Sequence, residues 1–205
     1  MDHFGPQYWW PGETSEEHLA GCVLAQNTRW DRVEPVIADL RESGFLQGET
    51  LLEASADVLI NILKGTGTYR RKAEYLRNVW AYMRKSGWDG TPESVYKETS
   101  LLRTELLALK GVGPETCDCI LLYVLERPVF VVDAYTKRIL SRHGLCREKE
   151  TYSTVQNIFN KSLEPNVEVF KEYHALLVAC AKEFCRPVPR CGGCPLSESE
   201  GEKCL

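Results

Sequence analysis

No stretch of this 205-residue chain approaches the roughly 18 consecutive apolar residues that a membrane-crossing helix needs. Its first residues, MDHFGPQYWW, have neither the basic start nor the apolar run of a secretory leader. A cytoplasmic protein working away from membranes is therefore expected. Nine cysteines without a leader argue against a disulfide framework and for metal binding plus buried thiols. Internal repeats and low-complexity linkers are absent. So is any useful run of alternating apolar and polar residues, which leaves helices as the main building material. There is also no excess of positive charge: the formal net charge is −4.

What is present is ordinary for a globular chain, 43% hydrophobic and 26% charged, and the length suits one large domain or two closely joined lobes. Helix signals recur. Thr14 with Glu17 reads as a capping box opening a helix with Leu19, Cys22, Val23 and Gln26 at helical spacing. Thr91–Pro92–Glu93 reads as another helix start. Leu102, Leu106 and Leu109 make one apolar stripe; Tyr152, Val155 and Phe159 make another, as do Phe170, Tyr173 and Leu177. Val129–Val132 is an isolated extended segment or buried turn.

Charge is unevenly spread. Lys64, Arg70, Arg71, Lys72, Arg77, Arg84 and Lys85 are interrupted by one acid, Glu74, and Lys137, Arg138 and Arg142 follow Asp133. The acids gather at 13–17 and 198–202. Such runs are usually solvated faces, but they also suit a polyanion, bound with modest nonspecific affinity and strong salt dependence.

The densest chemistry lies between Leu109 and Arg138, LKGVGPETCDCILLYVLERPVFVVDAYTKR. Gly111 and Gly113 permit conformations and close approaches denied to residues with a Cβ, and Pro114 suits the first turn of a helix. The turn would present unpaired amides to a phosphate, although a ligand-free helical bend explains the glycines equally well. Asp133 is placed to cap the helix AYTKRIL, worth about 1 kcal/mol, or to serve as an ionised catalytic carboxylate, which the same cap would help keep charged. The pattern Cys185-x5-Cys191-x2-Cys194-x9-Cys204 can hold either tetrahedral zinc or a [4Fe–4S] cluster.

Four segments in order, LAGCVLAQNTRWDRV, LKGTGTYRRKAEYL, LxGVGPxT followed by VVDAYTKR, and the cysteine loop, resemble the helix–hairpin–helix DNA glycosylases of the endonuclease III type. WWPGET and LAQNTRW are similar to the type III 3-methyladenine glycosylases. The resemblance implies an all-α, two-lobed fold: a six-helix barrel lobe at about 29–135, and a second lobe from 1–28 and 136–205, with the hairpin and Asp133 at the cleft. It implies a monomer acting on a damaged base in double-stranded DNA, with alkylated purines preferred. Asp133 would be catalytic, and Trp9, Trp10 and Trp30 would form the base pocket. Gln26 would fill the gap left by the flipped base, with Thr68 and Tyr69 in the loop where relatives insert a wedge. Gly111, Gly113 and Thr116 would meet the phosphate backbone, and Cys185, Cys191, Cys194 and Cys204 would bind a [4Fe–4S] cluster. Cys180 is a conceivable substitute ligand. Relatives that also cut the DNA strand carry a lysine where Glu115 stands, and a carboxylate cannot form an imine. A monofunctional enzyme is expected. The alternatives are a bifunctional glycosylase/lyase, a uracil or thymine mismatch glycosylase, or a non-catalytic DNA-damage binding protein.

Overall fold

Side chains receive the first free amides of five of the ten α-helices. The computed structural model describes residues 3–197. Thr14 caps α1 (Ser15–Leu24), Ser55 caps α4 (Ala56–Ile62), Asp133 caps α8 (Ala134–Arg142), Thr151 caps α9 (Tyr152–Ser162) and Asn166 caps α10 (Val167–Glu183). The remaining helices are α2 (Trp30–Glu42), α3 (Thr50–Glu53), α5 (Tyr69–Lys85), α6 (Thr99–Leu107) and α7 (Pro114–Cys119), which widens into a π-helical segment, Ile120–Val124. The described residues are all-helical, with no strands. Two of the sequence expectations shift. The capping box at Thr14 is half formed: Thr14 accepts from the Glu17 amide, but the Glu17 carboxylate turns to the Glu13 amide and to Arg41. Thr91–Pro92–Glu93 opens only the 3-10 turn Pro92–Ser94, because Thr91 donates its hydroxyl to Asp89 instead of capping.

The chain divides into two compact units, Pro11–Arg127 and Met1–Trp10 with Pro128–Leu205. These boundaries differ from the 29–135 span that the resemblance implied, because α1 packs against α2, α5 and the π segment and so joins the central unit. Seven residues of α1, Glu17 and Leu19 to Leu24, are buried, so its apolar C-terminal half is enclosed on every side. By contrast α5 is amphipathic: Lys72, Ala73, Leu76, Val79, Trp80 and Met83 face inward at helical spacing. Each fully buried leucine here, such as Leu19, Leu40 or Leu76, contributes roughly 1.5–3 kcal/mol. Asp118 is fully buried and receives both Nε and Nη2 of Arg103 at 2.8 and 3.2 Å, joining α6 to α7 on the two sides of the glycine turn.

In the terminal unit, α8 packs on α10. The segment before Asp133 is irregular and belongs to no sheet. Side chains of α9 satisfy its backbone instead: Gln156 donates to the Phe130 carbonyl at 2.7 Å, and the Val132 amide donates to the Tyr152 hydroxyl at 3.2 Å. Phe130 stacks on Phe159 with ring centroids 3.7 Å apart and meets Phe170 edge-on.

Candidate nucleic-acid interface and active site

Asp133 is held at the N-cap of α8 by its own geometry. Oδ1 accepts from the Thr136 amide at 2.7 Å, and Oδ2 stands 3.7 Å from Nε2 of His174 on α10. Burial pushes its pKa up, but the facing His174 and the Thr136 amide outweigh it and hold the carboxyl below the usual carboxylate range. The side chain is 12% exposed, so the anion is nearly buried yet reachable. No sequence motif marks His174. The available signal is its register, since it falls on the buried face of α10 with Phe170, Leu177 and Val178.

The two hairpin glycines differ. Gly111 has φ +93°, and a Cβ there would lie 2.1 Å from the Tyr75 ring of α5, so only glycine fits. Gly113 has φ −94° and ψ 176°, which any residue adopts, and a Cβ at this position would meet nothing within 4 Å. Its value is therefore open space beside the backbone at the start of α7, not conformational freedom. Gln26 reaches this turn: its amide nitrogen donates to the Gly111 carbonyl at 2.9 Å and to Thr116 Oγ1 at 3.0 Å. Three residues expected at the DNA interface, Gln26, Gly111 and Thr116, are thus brought together. The amide nitrogen of Gln26 is engaged in these two bonds, and its carbonyl oxygen takes part in neither.

Thr68 is exposed and left-handed at φ +29°, and Tyr69 begins α5 behind it. Exposed Lys64, Arg70 and Arg71 flank this loop. Three others of the run turn inward or bind protein, while Lys85 at the end of α5 is exposed: Lys72 is 1% exposed, Arg77 donates to the Leu52 and Ala54 carbonyls, and Arg84 holds Glu49 and the Trp88 carbonyl. The basic residues after Asp133 are likewise occupied. Arg138 donates to the Cys185 and Ala181 carbonyls, Arg142 to those of Arg186 and Pro187, and Lys137 to that of Glu150.

Trp30 lines a cavity of about 260 Å³ with Pro11, Glu13, Glu17, Glu34 and Arg41, within the central unit. Trp9 and Trp10 belong to the terminal unit and meet edge-on at 5.9 Å, and the Lys182 ammonium sits 5.3 Å over the Trp9 ring. Glu115 is exposed in the first turn of α7. Lys110 pairs with Glu74 at 2.7 Å, and that carboxylate raises its pKa, keeping the amine protonated.

Cys185, Cys191 and Cys194 line one small cavity with Cys180, whose sulfur is 3.8 Å from that of Cys194. Arg142 Nη1 points at Cys185 Sγ from 3.3 Å. Cys204 lies outside the described residues. Among the described residues, no group of three or more His, Cys, Asp or Glu side chains closes tightly enough for a single metal ion. Thiols gathered beside a guanidinium nevertheless form a donor set that suits an anionic thiolate-ligated cluster.

A family model described as HhH-GPD superfamily base excision DNA repair protein matches residues 20–165. This chain belongs to that family. It is 43% identical over 200 residues to a protein of Methanocaldococcus jannaschii named as a DNA repair glycosylase, covering 97% of this chain and 90% of that one. The endonuclease III of Thermotoga maritima is 27% identical, over 86% of this chain and 78% of the relative. Among solved structures, the H. pylori 3-methyladenine DNA glycosylase bound to 1,N6-ethenoadenine superposes with a TM-score of 0.73 at 25% identity, covering 85% of this chain and 88% of that one. A non-covalent endonuclease III–DNA complex shares the fold, with a TM-score of 0.76 at 21% identity over 94% of this chain and 85% of the other. The glycosylase assignment and the helix–hairpin–helix fold thus rest on the family model, on relatives and on structure together.

Proposed function

We propose that this member of the base excision repair family is a monofunctional DNA glycosylase that removes alkylated purines from double-stranded DNA. The observation that carries the reading is Asp133: a nearly buried carboxylate kept ionised by a helix amide and a facing histidine. An N3- or N7-alkylated purine is already cationic, so it leaves as a neutral base taking the electron pair of the C1′–N bond. No general acid is then required. The need is for an anion that offsets charge developing on the sugar and orients the attacking water, whose oxygen bonds to C1′ as its proton passes to bulk solvent. Trp30, and Trp9 with Trp10, suit a cationic base through ring faces, and the carboxylates around Trp30 add attraction for positive charge. Glu115 supports hydrolysis without strand cleavage, as does the pairing of Lys110 and Lys137 with protein partners.

Gln26 is proposed to fill the vacated stack, its amide group meeting the orphaned base, and the Gly113 side of the hairpin to receive a phosphate. A [4Fe–4S] cluster would be held by Cys185, Cys191, Cys194 and, as the fourth ligand, Cys204. When bound, it would tie a loop poor in apolar residues into the fold. The test is base release from a panel of duplexes carrying alkylated, deaminated, oxidised or mismatched bases. Release confined to alkylated purines supports the reading. Preferential release of uracil or mismatched thymine, or tight lesion binding with no release at all, would replace it.

A further inference from the structure

Lys72 is the one fully buried side chain of the basic run, and its surroundings match an ammonium group proton for proton. Its three N–H groups meet the Leu24 carbonyl at 2.8 Å, the Thr66 carbonyl at 2.6 Å and Thr28 Oγ1. Leu24 is the last residue of α1, where the helix dipole favours a cation. The Thr28 hydroxyl in turn donates to the Thr66 carbonyl at 2.6 Å, closing a ring between the two turns. Both turns carry an exposed, non-glycine residue in the left-handed region, Asn27 at φ +49° and Thr68 at φ +29°. Such conformations persist only where the surroundings hold them.

We propose that Lys72 is a positioning residue whose ammonium locks the Gln26–Thr28 turn to the Thr66–Thr68 turn, so that the gap-filling glutamine and the neighbouring loop enter the duplex as one rigid unit. The proposal rests on the reading of Gln26 given above. It extends it by naming the group that makes insertion possible. Burial alone pushes the Lys72 pKa down to about 8. Its three partners are uncharged, and the charged residues on adjoining segments, Arg29, Asp31, Lys64 and Arg71, are exposed. Loss of one proton therefore leaves one of the three acceptors without its donor, and the lock should loosen in mild alkali.

The experiment uses the full-length protein and a duplex carrying a tetrahydrofuran abasic-site analogue opposite 2-aminopurine, whose fluorescence reports a side chain entering the gap. Affinity is read separately by anisotropy of an end label. The unmodified protein should bind with a fluorescence change that Gln26→Ala loses. Lys72→Met should bind within about threefold of the same affinity, because phosphate contacts remain, yet lose the change. With the unmodified protein, the change should fade as pH rises through about 8 while binding persists. This arm holds even if Lys72→Met folds poorly, and Thr28→Val should reproduce the loss in part. Retention of the full change in folded Lys72→Met, or from pH 7 to pH 10 in the unmodified protein, would overturn the proposal. Retention in Gln26→Ala would instead remove the reading of Gln26 on which it stands.

Discussion

Replacing Asp133 by Asn separates two roles that the carboxylate combines. Asparagine caps a helix about as well as aspartate, so the bond from the Thr136 amide survives and the fold loses only the charge-dependent part of the stability that Asp133 provides. What disappears is the charge. A carboxylate about 4 Å from a developing unit positive charge contributes about 4 kcal/mol at an effective dielectric of 20, or roughly a thousandfold in rate. Asp133→Ala removes cap and charge together and should lower stability by a further 1 kcal/mol or so, seen as a melting shift of about 2–4 °C in a chain of this size. The assay is single-turnover base release from a duplex bearing an alkylated purine, beside thermal melts and lesion binding. The acid side follows the same logic. Because the folded pKa is depressed, the stability Asp133 provides is present above the unfolded carboxylate pKa and is lost as pH falls through the folded one. Asp133→Asn should therefore flatten the acid slope of stability. Release by Asp133→Asn within tenfold of the unmodified rate would refute the electrostatic argument.

Other consequences are equally open to measurement. Borohydride should trap little enzyme on abasic-site DNA, whereas Glu115→Lys, which puts an amine on the first turn of α7, should gain trapping; efficient trapping by the unmodified protein would show another lysine acting as nucleophile. Anaerobically purified protein should contain about four irons per chain and absorb broadly near roughly 400 nm, with Cys191→Ser or Cys194→Ser losing both; a colourless protein with one zinc would reject the cluster. Gly111→Ala should cost more than about 2 kcal/mol, through left-handed strain and overlap with Tyr75. Gly113→Ala should leave the melting temperature nearly unchanged and weaken DNA binding, and equal destabilisation by both would contradict the distinction drawn between them.

Much of this protein is legible in its amino-acid sequence, and the reason is locality. Helix starts at Thr14 and Asp133 depend on a side chain and an amide three residues on, and the stripes of α9 and α10 on a period of a few residues. The glycine turn and the lone aspartate stand out for the same reason. The isolated apolar run before Asp133 is also recognisable, but not that Gln156 and Tyr152 satisfy its backbone. Where short-range signals mislead, a tertiary partner has captured the group: Arg41 takes Glu17 from its capping box, and the carbonyls of the cysteine loop take Arg138 and Arg142 from the surface. Residue pattern is enough to establish that the chain is helical, carries the hairpin and places a capping carboxylate beyond it. It took the packing of helices to set His174 against that carboxylate, to lay Gln26 on a turn 85 residues away and to carry Lys72 across 48 residues to the end of α1. Those contacts depend on how whole helices dock, and no local pattern of residue types records the partner that docking will supply.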